Sequence, residues 1–316
     1  MDKTFLKNSL EGEKEYFNDL IRNRVTNNKI PLEADYRRAT FHIPKKNDKW
    51  NEIIDPKMFK IVEGKYRYDI LNRVIKKSGN VLDICCGPGA TSLELARHGL
   101  NVKGFDLSSE VITMAKKMKD ENPYLDNFGS LEYFCQDINS INIQDEKNIS
   151  TIIGISAFHH IYDLEKFLKN CYNTLEKGGL MITLDDIGHT KFDQFLKNCL
   201  LFILPKYGLS YKEKFKRLYR YFFYGKPISN EMFSPMELYT SKHGASMKII
   251  ENFWFNKLKV EKVVYYGAFS IQVCNSIKGP DWFRYNVAKI LTCIDRMLIK
   301  LKICKGFYRI IYSTKD

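Results

Sequence analysis

Long apolar runs are what this sequence has least of. The longest, at 199–204, is stopped by Pro205 and Lys206, far short of the roughly 20 residues that a membrane-spanning helix needs. The 8 cysteines include no Cys-x-x-Cys pair, which argues against a disulfide framework and a structural zinc site and leaves them as small buried hydrophobes. The opening residues Met1-Asp2-Lys3-Thr4-Phe5 carry neither a charged-then-apolar signal nor a Ser-rich, acid-poor transit pattern. Cytoplasmic residence is therefore the expectation, with peripheral attachment to the inner face of the membrane as the alternative placement. Acid is scarce relative to base: 50 Lys and Arg stand against 37 Asp and Glu, a formal charge of +13. A surface of that sign attracts anions such as nucleic acid, acidic lipid or a phosphorylated substrate. Against these shortages, 44% hydrophobic and 14% aromatic residues are enough to bury a globular core.

The most informative stretch is Val81-Leu82-Asp83-Ile84-Cys85-Cys86-Gly87-Pro88-Gly89. It reads as a short buried strand entering a glycine turn, and Thr91 to Arg97 then supplies a helix that ends at Gly99. Backbone N–H groups in such a turn are free for a ligand, and glycine lets the main chain come close to it. A second strand, 101–105, ends in Asp106, close to the roughly 20 residues beyond the first glycine at which an acid grips ribose hydroxyls. A dinucleotide fingerprint wants a third glycine where this chain has Ser92, and it calls for no acid at 83. A nicotinamide cofactor is disfavoured accordingly.

Taken in order, the motifs resemble the class I S-adenosylmethionine-dependent methyltransferases, in particular their small-molecule group. Asp83, Gly87 and Gly89 are similar to the first motif, and Asp106 with Leu107 and Ser108 to the ribose-binding segment. Phe134-Cys135-Gln136-Asp137-Ile138 resembles the segment that meets adenine. Ile152 to Ile161, with Ser156 and the pair His159-His160, resembles the fourth strand and its ending, and Leu175 to Thr183, with Gly178-Gly179, the turn into the fifth. The resemblance implies a Rossmann-like, doubly wound α/β fold with a seven-stranded, mostly parallel sheet and an antiparallel last strand. It implies S-adenosyl-L-methionine as cofactor, held by Asp83, Cys85, Gly87, Gly89, Asp106, Leu107, Asp137, Ile138 and Ser156. Where that family often has an acid at the start of the fourth strand, this chain has Ser150 or Thr151.

The expected organisation is a helical leader or lid at 1–65, a cofactor-binding core at 66–186, and a helical acceptor-side insertion at 187–256. The last two strands of the core follow at 257–280, and a basic amphipathic helix closes the chain at 281–316. In the leader, a helix is expected over 10–24 and a turn-rich segment over 40–48, with two readings open for Tyr36, Arg37, Arg38 and Trp50: a packing strap with exposed charges, or contributors over the cofactor or acceptor. The insertion is too long for a structureless loop. Two stretches concentrate positive charge: 206–226 has Lys or Arg at 206, 212, 214, 216, 217, 220 and 226 against the single acid Glu213, interleaved with aromatics. The tail has Arg284, Lys289, Arg296, Lys300, Lys302, Lys305 and Arg309. Apolar positions from Phe283 to Leu301 recur at spacings of three and four, one helical face. Packing on the domain or a second subunit, a membrane surface, and nucleic acid are the three fates open to it.

Methyl transfer needs a nucleophile aligned with the methyl–sulfur bond in a dry pocket, and a base only when the acceptor carries a proton. His159, His160 and Asp185 are the catalytic candidates, because they sit at the carboxyl ends of the fourth and fifth strands, where doubly wound folds bind ligands. Asp186, His189 and one of Tyr265 and Tyr266 are lesser candidates. No metal is expected, since the carboxylates that quinone O-methyltransferases use for one are absent at 156 and 159. The leading expectation is O-, N- or C-methylation of a small-molecule or lipid-linked acceptor. An RNA methyltransferase would account for the charge, but Ile155-Ser156-Ala157-Phe158 stands where an Asn-Pro-Pro-Tyr motif would be. A non-catalytic module that docks to a partner or membrane is the third alternative.

Overall fold

Alternate residues of each central strand face opposite cores, and this places the rest of the chain. Val81, Ile153, Ile182 and Ile310 join one buried cluster, whereas Leu82, Ile152, Met181 and Ile311 join the other, as the two-residue period of a strand buried on both faces requires. The computed structural model describes residues 3–26, 55–122, 125–139, 143, 146–206, 210–224, 252–254 and 256–316. The expectations for 40–48 and for Tyr36, Arg37, Arg38 and Trp50 lie outside the described residues.

Helix α1 (Lys3–Thr26) opens the chain. A helical run follows, made of α2 (Pro56–Phe59), a π-helical turn (Lys60–Gly64) and α3 (Lys65–Lys77). Strands β1 (Asn80–Ile84), β2 (Asn101–Asp106) and β3 (Leu131–Cys135) then alternate with α4 (Ala90–Arg97) and α5 (Ser109–Asp120). Next come β4 (Ile149–Ile155), α6 (Leu164–Thr174) and β5 (Leu175–Asp186). Helices α7 (Lys191–Ile203) and α8 (Tyr211–Tyr224) occupy the expected insertion. The chain ends with β6 (Lys259–Tyr266), α9 (Ser270–Cys274), α10 (Asp281–Lys300) and β7 (Tyr308–Thr314). The sheet order is β3-β2-β1-β4-β5-β7-β6, with β7 antiparallel to both its neighbours and the other six strands parallel. The order reverses between β1 and β4, so the crevice at the carboxyl ends of those two strands is the topological binding position.

Two expectations for the end of the chain are corrected. The second half of the 257–280 span, where the last strand was expected at 269–274, instead holds α9 over 270–274 with Phe269 as its cap. The buried carboxylate of Asp295 on α10 accepts the N–H groups of Ala268, Phe269 and Ser270 at 3.3, 3.1 and 2.7 Å, the donors that a helix start leaves open and an anion satisfies. The amphipathic helix, expected to close the chain over 281–316, stops at Lys300: Lys302 and Gly306 take left-handed φ of 60° and 92°, and the N–H groups of Ile303 and Cys304 both return to the Leu298 carbonyl. Ile310, Ile311 and Tyr312, freed from that helical pattern, fill the slot between β5 and β6. The last two strands are therefore at 259–266, inside the expected span of 257–280, and at 308–314, beyond it.

Replacing Asp295 by Ala strands three backbone donors, each bonded to a charged acceptor. Urea unfolding is expected to show a loss of about 3 kcal/mol or more, and a change below about 1 kcal/mol would deny the carboxylate this role.

Candidate active site

One carboxylate joins the first two strand ends. The Asp106 side chain accepts the Gly87 N–H on Oδ2 and the Ser108 N–H on Oδ1, both at 3.0 Å. Burial raises its pKa above the ordinary value, and the two N–H bonds and His160 pull it back. Each oxygen retains acceptor capacity beyond its one N–H. Cys85 and Ser156, at the ends of β1 and β4, hold φ of 53° and 52°, a conformation that costs non-glycine residues of order 1 kcal/mol and collects at functional sites. At Gly87, with φ of 55°, an added Cβ would meet no atom within 4 Å. Gly89 caps α4 with φ of 80°, and Tyr133, whose hydroxyl donates to the Gly89 carbonyl at 2.9 Å, leaves no space for a side chain there.

These ends border a cavity of about 310 Å³. Of the residues expected at a site, Cys85, Gly87, Asp106, Leu107, Asp137, Ile138, Ser156 and His160 line it. Four do not. Asp83 points to the face covered by α4 and accepts the Ser92 hydroxyl at 2.5 Å, so it acts on the turn from behind. Burial pushes its pKa up to about 7, against the Ser92 bond and with a further push from Asp106. Gly89 belongs to the α4 cap, and His159 and Asp185 meet outside the cavity, after β4 and near the end of β5. There Asp185, 1% exposed, receives the Thr183 hydroxyl and meets His159 Nδ1 at 3.2 Å. A carboxylate at Nδ1 fixes the orientation of the ring.

The two histidine rings are 4.1 Å apart but have different partners. His160 Nδ1 meets Glu13 Oε1 at 2.7 Å, and its ring stands edge-on to Phe17 at 5.6 Å. Both partners belong to α1, which covers the cavity with Leu10, Glu13, Phe17, Leu20 and Ile21. The helix is fastened by Asn18, whose Oδ1 accepts from the Ser108 hydroxyl at 2.7 Å, and by Arg22 with Glu110 at 3.0 Å. Sequence reasoning missed Glu13 and Phe17. The available signal was an acid inside an apolar stripe at helical spacing. It also missed Phe105, Gln136 and Asn139, which line the wall as well.

The lesser candidates stand apart from the cavity. Tyr266 is buried and stacks on Tyr66 at 4.0 Å, while Tyr265 on the opposite strand face is exposed. Burial, with Lys197, pushes the His189 pKa down to about 4, and its ring rests 4.5 Å from that of Phe307. Burial raises the Cys85 and Cys86 thiols well above the ordinary value, which disfavours their thiolate forms.

The cavity fits a nucleoside-bearing sulfonium cofactor. The space over Gly87 admits a ligand against the main chain, Asp106 offers two oxygens to vicinal hydroxyls, and Phe105, Leu107 and Ile138 provide apolar walls for a base. A family model described as a methyltransferase domain matches residues 82–183. The ubiquinone biosynthesis O-methyltransferase of Coxiella burnetii (strain Dugway 5J108-111) is 30% identical over 127 residues, 40% of this chain and 48% of that protein. The mitochondrial ubiquinone biosynthesis O-methyltransferase of Homo sapiens is 33% identical over 104 residues, 33% of this chain and 28% of that protein. This chain thus spans about half the length of the first of these curated relatives and less of the second. Among solved structures, magnesium protoporphyrin IX methyltransferase from Synechocystis PCC 6803 is similar with a TM-score of 0.44 and 13% identity, over 96% of this chain and 98% of that one.

Two outcomes follow from this geometry. Asp83 is protonated more readily in the folded than in the unfolded chain, so its contribution to stability is complete below pH 3.8 and is lost as pH rises to about 7. Urea unfolding across that window should show wild type losing stability relative to Asp83→Asn, and parallel curves would contradict the raised pKa. Glu13→Gln weakens the contact holding α1 to His160; hydrogen exchange over 10–21 should speed up by roughly tenfold or more, and unchanged exchange would show that the contact does not fasten the helix.

Proposed function

We propose that this chain, whose residues 82–183 are a methyltransferase domain of the class I S-adenosylmethionine-dependent family, methylates a small-molecule or lipid-linked acceptor. The observation that carries this reading is the Asp106 carboxylate, fixed by Gly87 and Ser108 at the mouth of a cavity between the ends of β1 and β4. S-adenosylmethionine, when bound, supplies a methyl group on a sulfonium centre for in-line displacement.

The chain's own residues then divide the work. Asp106 accepts the ribose hydroxyls, Asp137 and Ile138 border the adenine, and Cys85, Gly87 and Ser156 present backbone to the methionine end. Gly89 and Asp83 set the turn from behind. Helix α1 excludes water, which strengthens each polar contact beneath it. His159, oriented by Asp185, takes the proton from an acceptor hydroxyl, and His160 holds the cover in place. The names of the curated relatives, both O-methyltransferases, support a hydroxyl as the acceptor atom. A lipid-linked acceptor is met at a membrane surface, so peripheral contact with anionic lipid on the inner face belongs to the same reading.

Incubation of the protein with methyl-labelled S-adenosylmethionine and cell extract tests the proposal. Label should enter the small-molecule or lipid fraction, and His159→Asn should lower transfer by roughly 10² to 10⁴-fold at unchanged affinity for S-adenosylhomocysteine. Label in RNA, or full activity in His159→Asn, would contradict it.

A further inference from the structure

The outer face of α10 is apolar where a solvated helix is polar. Trp282, Ile290, Met297 and Leu301 are 69, 59, 52 and 60% exposed. From Ile290 through Ile294 and Met297 to Leu301 the spacing is four, three and four, which aligns them on one side, with Trp282 two turns earlier. Packing is carried by the opposite side, where Arg284, Ala288, Leu291, Thr292 and Asp295 are buried. The charges on the exposed side are Lys289 and Lys300, with Lys302 just past the helix end. The acids of the helix are engaged elsewhere: Asp281 with Arg284 at 3.0 Å, and Asp295 with α9.

Helix α8 repeats the pattern. Phe215, Tyr219, Phe222 and Phe223 are exposed among exposed Lys212, Lys216 and Arg220. Its acid, Glu213, is turned back to Ser210 in the N-terminal cap. The two faces start from one hydrogen-bonded corner: Lys206, after α7, bridges Ile277, and the Lys278 N–H donates to the Pro205 carbonyl at 2.9 Å, with exposed Ile203 beside it.

Large apolar side chains exposed together mark an interaction surface, and the charges select its occupant. A second copy would set the same lysines against each other. Nucleic acid would use the lysines but gains nothing from Ile290, Met297 and Leu301. An anionic bilayer satisfies both sets, since apolar side chains enter the acyl boundary, lysines reach headgroup phosphates and tryptophan settles at the interface. We infer that the outer face of α10, continued by α8, rests on an anionic lipid surface with α10 lying in the plane of the interface. The inference names the surface on which the proposed acceptor is met and rests on that reading for its purpose; vesicle binding is read without methyl transfer, so either can fail alone.

The test is co-sedimentation of the full chain with vesicles of phosphatidylcholine alone and of phosphatidylcholine mixed with phosphatidylglycerol. Partition should favour the anionic vesicles and weaken with added salt. Each lysine near the surface contributes roughly fivefold, so Lys289→Glu with Lys300→Glu should weaken partition on the order of a hundredfold or more. Ile290→Ser with Met297→Ser should also release the protein. These positions are exposed, and unchanged binding of S-adenosylhomocysteine checks that the variants are folded. Equal recovery on both vesicle types, variants that sediment like wild type, or a dimer in light scattering that these substitutions dissolve would each overturn the inference, the last in favour of a second copy.

Discussion

The Asp106 carboxylate is the point through which the site is assembled. It receives one N–H from the turn after β1 and one from the turn after β2, so two crossovers that share no sequence are held at a fixed separation. The network continues outward. Ser108 donates its hydroxyl to Asn18 and accepts the Val111 N–H, which ties the floor of the cavity both to α5 and to the helix above. Burying this carboxylate beside Asp83 is unfavourable, as the raised pKa of each records. The N–H donors and the Ser92 hydroxyl offset that cost, because a buried charge persists only when it is hydrogen-bonded.

The opposite wall is closed by a different device. His160 and His159 are neighbours in a short turn of 3-10 helix, and that geometry sends one ring to Glu13 of α1 and the other to Asp185 of β5. Two histidine–carboxylate pairs follow, His160 with Glu13 at the cavity beneath α1 and His159 with Asp185 beside it. Both sit at the carboxyl edge of the sheet, where the reversal of strand order opens the crevice.

How much of this was legible in the sequence depended on the range of the interaction. The turn after β1, the acid ending β2 and the pair after β4 are local patterns, and the sequence places them in the right order around the crevice. Residues 269–274 read as a strand because β-branched and aromatic side chains suit one; the carboxylate that makes them a helix lies a whole helix further on, at Asp295. Ile310 to Tyr312 extended the helical period of the preceding segment, and only the left-handed turn at Lys302 and Gly306 separates them. Glu13 reaches His160 from the far end of the chain, a contact that no spacing rule encodes. The basic tail also divides in a way charge counting does not reveal. Arg284 and Arg309 are buried, while Lys289, Lys300 and Lys302 stay outside, consistent with guanidinium groups being the better buried partners.

The central claim is that the cavity between β1 and β4 binds a sulfonium nucleoside through Asp106. Calorimetric titration with S-adenosylhomocysteine tests it most directly. The account predicts saturable one-site binding by the wild-type chain and its loss in Asp106→Ala, with the unfolding transition of that variant still cooperative. Undiminished binding in a folded Asp106→Ala protein would contradict it.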